Sequence, residues 1–334
     1  MNVKQEIPIF FSCDDNYVPY LTVAIHSLIE HANINNLYNI IILNSTMSKE
    51  NQEHLKLMST ENVKINLENV SEALGEINNE LKLRLRDYYS IAIYYRLFIP
   101  NLFPNYKKAI YLDADMVVLD DVAKLYNMDI GDNLLIATTD NTVNDSEDFK
   151  MYSKIALGVE PEKYINSGML VMNLEGMRNA KIEQKFIYLL LKYNLEVIAP
   201  DQDYLNILCK DRIKYIPENW DKMHDFGAHI PEEEIHIIHF NMMRKPWHYE
   251  NVPYANVFWK YAQKTRYYES LKEEVRNYGD NKKQEDLNGI KNMIKNAHSI
   301  IEQEIKLVDV IDEVKNEEFM NIGVLWKKAK KDFL

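Results

Sequence analysis

A chain of 334 residues, 46% apolar and 27% charged, can bury a large core, which argues against disorder. Its formal net charge of -12, with no basic stripe interleaved with aromatics, excludes nucleic acid as a natural partner. The two cysteines, Cys13 and Cys209, are too widely separated to suggest a disulfide framework or a zinc site, and they fit a reducing cytoplasm.

Residues 1–5 run straight into an apolar stretch without the basic start and hydrophobic segment of a secretory signal. No apolar run reaches the roughly 18 residues that cross a bilayer. The expectation is a cytoplasmic protein, at most peripheral on the inner face of the plasma membrane. Residues 7–11 are continuously apolar and end in the polar cluster Ser12, Cys13, Asp14, Asp15, Asn16, the pattern of a buried parallel strand feeding a loop. After Pro19, Leu21, Ile25 and Leu28 recur at helical spacing. Residues 39–43 read as a second strand, 48–59 as a helix capped by Ser48, and 63–67 as a third strand. This alternation predicts an α/β fold. Residues 90–98 read as a helix carrying Arg96 and closed off by Pro100 and Pro104. The stretch 109–119 is apolar except for two aspartates. Strands are expected at 136–138 and 168–173, helices at 182–193 and 202–208, and a late strand holding two histidines at 235–240.

Beyond about Tyr268 the composition turns to Lys, Glu and Asn with apolar residues at helical spacing. This places a boundary between an α/β domain, residues 1–264, and a small helical appendage, residues 265–334. At its end Phe319, Ile322, Trp326, Ala329 and Phe333 recur at spacings of three and four beside Lys327, Lys328, Lys330 and Lys331. Such a basic amphipathic helix, residues 319–334, can lie on an anionic bilayer or dock on its own domain.

In Ile110-Tyr-Leu-Asp-Ala-Asp115 two carboxylates stand at i and i+2. On an extended chain they share a face about 7 Å apart. Hard oxygen ligands at the carboxyl end of a buried strand suit Mg²⁺ or Mn²⁺, which keep positions open for substrate phosphates. Asp-x-Asp alone is weak evidence, and Asp201-Gln-Asp203 is a second occurrence. The apolar setting distinguishes the first, because two buried acids need a compensating cation. His239, on the late strand, is either a hydrogen-bonded core residue or a third ligand, which would tilt selectivity toward Mn²⁺. Lys245 is either an ordinary surface lysine or a phosphate-neutralising charge.

Four blocks, Phe11-Ser-Cys-Asp-Asp-Asn-Tyr17, Ile110-Tyr-Leu-Asp-Ala-Asp115, Tyr164-Ile-Asn-Ser-Gly168 and His239 through Lys245-Pro-Trp247, resemble glycosyltransferase family 8. The likeness runs in order over roughly residues 6–260. It implies a single GT-A domain, a Rossmann-like mixed sheet flanked by helices, and a retaining, Mn²⁺-dependent hexosyltransferase with Mg²⁺ as the alternative ion. The implied substrates are a UDP-hexose donor, galactose ahead of glucose, and a glycan, glycolipid or glycoprotein acceptor. By the same resemblance Asp113, Asp115 and His239 would hold the metal, with Ala114 between the carboxylates at the donor. Ser12, Asp14 and Asn16 would hold uracil and ribose, although an Asp-Asp-Asn cluster also makes an ordinary turn. Arg96, Asn166 and Ser167 would lie at the donor sugar. Asp201 would bind hexose hydroxyls, its alternative being a helix cap after Pro200. Gln202 would sit near the anomeric carbon, Lys245 on the diphosphate, and Trp247 would pack the loop closed over the nucleotide.

The family's glycine between histidine and lysine is missing, for residues 240–244 are Phe-Asn-Met-Met-Arg. A side chain at Met242 is expected to limit positive φ and close backbone approach, with Arg244 compensating. Two rivals stay open: a metal-dependent phosphohydrolase, and a catalytically silent nucleotide-sugar-binding scaffold.

Overall fold

The computed structural model describes residues 4–75, 91–193 and 195–316. Its spine is β1 (Glu6–Ser12), followed by β2 (Leu37–Asn44), β3 (Val63–Asn69), β4 (Lys108–Leu112), β5 (Met116–Val118), β6 (Leu135–Ala137), β7 (Met169–Asn173), β8 (Ile213–Tyr215), β9 (Lys222–Met223) and β10 (Ile237–His239). Seven strands form one sheet in the order β3-β2-β1-β4-β7-β6-β8, and β5-β10-β9 form a second, smaller one. In the large sheet β3, β2, β1 and β4 pair in parallel, β7 runs antiparallel to both β4 and β6, and β8 pairs in parallel with β6.

The apolar runs read from the sequence are buried because both sheet faces are covered. Period-2 alternation sends Phe10, Ile41 and Leu43 into one core cluster, and Ile7, Ile9, Phe11, Ile40 and Ile42 into the cluster on the other side. The longer helices are α1 (Val18–His31), α2 (Lys49–Leu57), α3 (Tyr95–Leu102), α4 (Glu147–Leu157), α5 (Ile182–Tyr193), α6 (Pro200–Leu208), α7 (Ala255–Ala262), α8 (Tyr268–Asn277) and α9 (Asp280–Ile301). Ser48 caps α2 as expected, its side chain accepting from the Asn51 amide at 3.3 Å.

One local expectation is corrected. Pro100 does not close its helix. It lies inside α3, which starts at Tyr95 after a 3₁₀ turn over Ile91–Tyr94 and ends at Leu102, the Phe103 amide donating to the Ile99 carbonyl at 3.0 Å. The two aspartates stand, as expected, at the carboxyl end of a buried strand, β4. The chain turns at Asp113-Ala114-Asp115 and passes from β4 in the large sheet to β5 in the small one.

The connection from β1 leads to β2 on one side, whereas β4 lies on its other side. Such a reversal leaves a crevice at the carboxyl ends of the strands, and here the ends of β1 and β4 both open into it. The carboxyl-terminal region is helical: α8, α9 and short turns at Leu307–Val310 and Glu313–Asn316. Ala297 and Ile300 of α9 join the main core cluster. No helix among the described residues is long and apolar enough to cross a membrane. The basic amphipathic helix expected at 319–334 lies outside the described residues.

Candidate active site

The turn between the two sheets brings the carboxylates closer than an extended strand would. One ligand atom each from Asp113, Asp115 and His239 lie within 4.8 Å of one another. The small sheet makes this meeting possible, since β10 pairs with β5 and sets His239 opposite Met116, directly after Asp115. The Phe240 amide donates to the Asp115 carbonyl at 2.9 Å and locks that register. His239 is almost fully buried, its Nδ1 lies 3.0 Å from Asp221 Oδ1, and its Nε2 faces Asp115 Oδ1 at 3.3 Å and Asp113 Oδ2 at 3.9 Å. With Nδ1 engaged by Asp221, Nε2 is the nitrogen left to coordinate, an arrangement characteristic of metal-binding histidines. Two carboxylates and one imidazole therefore fit a hard or borderline divalent cation.

Burial by itself would lower the His239 pKa, but the carboxylates of Asp221 and Asp115 outweigh it and push the ring up to about 10. Burial would likewise raise Asp115, yet Lys245 and His239 hold it well below the usual carboxylate range. The Lys245 ammonium donates to Asp115 Oδ2 at 2.5 Å and also to the Phe240 carbonyl. The sequence left Lys245 between surface and site; it is buried and lines the cleft.

Arg96 is 3% exposed and joins the two halves of the site. Its guanidinium donates to Asp113 Oδ1 at 2.8 Å, to Ser167 Oγ at 3.0 Å, and through Nε pairs with Asp201 Oδ2 at 3.0 Å. It stacks over the Tyr111 ring at 4.3 Å. Asp201 is not a helix cap: Ala199 occupies that position, and the carboxylate instead accepts from Ser167 Oγ at 3.0 Å. Gln202 Oε1 accepts from the Ser167 amide at 2.9 Å and its Nε2 donates to Asp140 Oδ2 at 2.9 Å. Asn166 donates to that same oxygen at 3.0 Å and accepts from the Gly168 amide at 2.8 Å. Gly168 is needed for close approach, since a β-carbon there would lie 2.3 Å from His239 Cε1 and 2.9 Å from Asp113 Oδ2.

Ser12, Asp14 and Asn16 line the cleft at the end of β1, and Asp14 also caps the turn, accepting from the amides of Asn16 at 3.0 Å and Tyr17 at 3.2 Å. The cavity of about 680 Å³ is lined as well by Arg96, Ala114, Asn166, Ser167, Asp201, Gln202 and His239, so the residues expected to hold the metal, the nucleoside and the donor sugar meet in one place.

The loop from His239 to Trp247 departs from expectation in two ways. Met242 adopts φ +59°, the left-handed conformation that its side chain was expected to prevent, so the loop takes on strain instead of changing course. Arg244 does not compensate at the cleft, because it pairs with Asp225 at 2.7 Å and is half exposed. Trp247 is 1% exposed and stacks on Tyr20 with ring centroids 4.1 Å apart, packing the loop into the third core cluster.

Three residues near the site, Tyr111, Asp140 and Asp221, carry no role in the sequence reading. Tyr111 donates to Asp113 Oδ1 at 3.0 Å, and its i, i+2 spacing from that aspartate was a signal available in the sequence. Asp140 follows β6 at its carboxyl end, a position that could also have been flagged. Asp221 carried no such signal, whereas Asp203 belongs to the second Asp-x-Asp of the sequence. Asp203 is fully buried and accepts from Tyr152 at 2.8 Å and from the Ile198 and Ala199 amides at 3.0 Å, which shapes the loop entering α6.

The profile of Glycosyl transferase family 8 matches residues 8–251. A Haemophilus influenzae protein provisionally named a glycosyltransferase is 32% identical over 253 residues, covering 73% of this chain and 74% of its own. The lipopolysaccharide 1,2-glucosyltransferase of Escherichia coli K12 is 26% identical over 277 residues, covering 77% of this chain and 78% of its own. Among solved structures, the galactosyltransferase LgtC in complex with donor and acceptor sugar analogues superposes with a TM-score of 0.63 at 24% identity, over 78% of this chain and 96% of that one, a likeness of fold.

Proposed function

The chain belongs to glycosyltransferase family 8, and from that premise we propose that it transfers a hexose from a UDP-hexose to a glycan or glycolipid acceptor, with retention at the anomeric carbon and with Mn²⁺ as cofactor. The observation that carries the reading is the meeting of Asp113, Asp115 and His239 within 4.8 Å, in the same cleft as Asp201 and Gln202. Asp113, Asp115 and His239 would hold a divalent cation, which would supply positive charge against the negative charge developing on the leaving UDP.

The chain's own groups take up the remaining tasks. Ser12, Asp14 and Asn16 at the end of β1 receive the nucleoside. Lys245 adds a second positive charge for the diphosphate from a nearly dry position. Asp201, oriented by Arg96 and Ser167, accepts from hexose hydroxyls, and Asn166 and Ser167 flank it. Galactose is the first donor to be tried and glucose the second. They differ at one hydroxyl, which a buried hydrogen-bonding site can discriminate.

Double displacement would need a free carboxylate at the anomeric carbon. Asp201 is committed to Arg96 and Ser167, Asp203 lies fully buried under Tyr152 and Tyr164, and the Gln202 amide is a weak nucleophile. These observations support attack from the leaving-group face. The acceptor oxygen bonds to the anomeric carbon as the carbon–oxygen bond to UDP breaks, and the acceptor's hydroxyl proton passes to a phosphate oxygen of the departing UDP.

The test is a screen of UDP-galactose, UDP-glucose and UDP-N-acetylhexosamines against simple glycosides, with and without Mn²⁺, reading UDP release and the product's anomeric configuration by NMR. Metal-dependent release that Asp115→Ala abolishes, with a retained configuration, is the expected outcome. An inverted product would overturn the stereochemistry, turnover of the nucleotide that needs the metal but no acceptor sugar would favour phosphoester hydrolysis, and no release with any donor would favour the silent scaffold.

A further inference from the structure

The cleft does not end at the donor groups. At one side it is walled by α9, which lies beyond residues 8–251 shared with the family. Residues Asp286, Gly289, Met293, Ala297 and Ile300 follow one another at spacings of three and four, the inner stripe of an amphipathic helix. Gly289, Ala297 and Ile300 are buried, and Met293 packs on the main core cluster and also lines the cleft. The stripe therefore calls for an apolar residue at 286, yet a carboxylate stands there and lines the cleft as well.

That carboxylate is held in place. Tyr249 and Tyr278 both donate to its Oδ2, at 2.7 and 2.8 Å, and the Tyr278 ring is stacked on His248 with centroids 4.0 Å apart and planes 11° from parallel. Among the described residues no donor meets Oδ1. Asp286 is half-buried and lines the cleft, and its Oδ1, with no donor from the chain, is open to accept a hydrogen bond from a ligand hydroxyl. Phe149, Val143, Met242 and Met293 line the same cleft with apolar surface, which matches the carbon–hydrogen face of a pyranose.

We propose that Asp286, fixed by Tyr249 and Tyr278, forms the acceptor subsite, accepting a hydrogen bond from a ring hydroxyl of a pyranoside whose apolar face rests on Met293 and Phe149. This rests on the donor reading above, since it completes the same cleft with the second substrate.

The test uses the full chain with UDP and Mg²⁺ and measures saturation-transfer NMR to methyl β-D-galactopyranoside, methyl β-D-glucopyranoside and lactose. The wild type is expected to transfer saturation to the ring protons of at least one glycoside. Asp286→Ala should weaken that binding by about tenfold or more, the usual loss for a hydrogen bond to a charged group. Tyr278→Phe, which removes one of the phenols holding the carboxylate, should weaken it less and serves if the alanine variant fails to fold. UDP affinity, measured separately by calorimetry, keeps the two readings apart. UDP binding with no saturated glycoside, or with both variants binding glycosides as the wild type does, would overturn the subsite alone. Absence of UDP binding by the wild type would overturn the donor reading and this one with it.

Discussion

Gly168→Ala is the sharpest perturbation the site offers. The new β-carbon would lie 2.3 Å from His239 Cε1, 2.9 Å from Asp113 Oδ2 and 3.0 Å from Asn166 Oδ1. An ordinary contact begins near 3.4 Å, so the imidazole has to retreat by about 1 Å, whereas a metal site tolerates ligand distances off by only about 0.2 Å. His239 cannot yield freely, because Asp221 holds its Nδ1 and β5 and β9 flank its strand. Gly168 is not in the left-handed region, so alanine meets no backbone penalty and the damage concentrates on the ligands. A 1 Å misplacement costs about 100-fold in rate, equivalent to about 2.7 kcal/mol of transition-state stabilisation. The expected result is a drop of that order in metal-dependent kcat/KM and weaker Mn²⁺ binding by calorimetry, with an unchanged far-UV circular dichroism spectrum. Wild-type Mn²⁺ affinity and turnover in Gly168→Ala would refute the reasoning.

Asp221→Asn should weaken divalent-cation affinity by about 10- to 100-fold, as loss of a carboxylate behind a liganding histidine usually does. In the wild type the imidazole pKa is about 10, so cation binding displaces a proton and apparent affinity rises with pH by about tenfold per unit below that value. The same elevation stabilises the metal-free fold fully below the ordinary histidine pKa of 6.5, and this contribution fades as pH rises toward 10. Metal-free Tm should therefore carry a downward component across that window, and Asp221→Asn should flatten it. Arg96→Met leaves Asp113 and Asp201 without their shared cation and should destabilise by about 3–5 kcal/mol in urea titrations; a loss below about 1 kcal/mol would contradict its bridging role. At Met242, φ +59° predicts that valine costs about 1–2 kcal/mol whereas glycine is at least as stable as methionine, an order that thermal unfolding can check.

The sequence revealed the fold where periodicity was strong. The continuous apolar run at 7–11 became β1, whose two faces are both covered, and residues 63–67 became β3, whose alternation leaves Lys64 and Asn66 exposed. It was less informative where tertiary packing decided the outcome. The carboxylate pair looked extended, but pairing of β5 with β10 pulled the chain out of the large sheet and drew Asp115 toward His239. Met242 was misread for a similar reason: anchoring by Trp247 stacked on Tyr20 fixes the loop's course, and the backbone accepts a left-handed residue. Asp221 and Asp286 were invisible for another reason. A carboxylate's value at either position depends on which side chains meet it across the fold, Asp221 from 18 residues away from His239 and Asp286 from 37 away from Tyr249.

UDP binding measured by calorimetry with and without Mn²⁺, in the wild type and in His239→Ala, tests most directly whether one cation held by Asp113, Asp115 and His239 organises the donor. The account predicts that Mn²⁺ strengthens UDP binding by the wild type and that the histidine variant loses most of this gain. An equal Mn²⁺ effect in both proteins would contradict it.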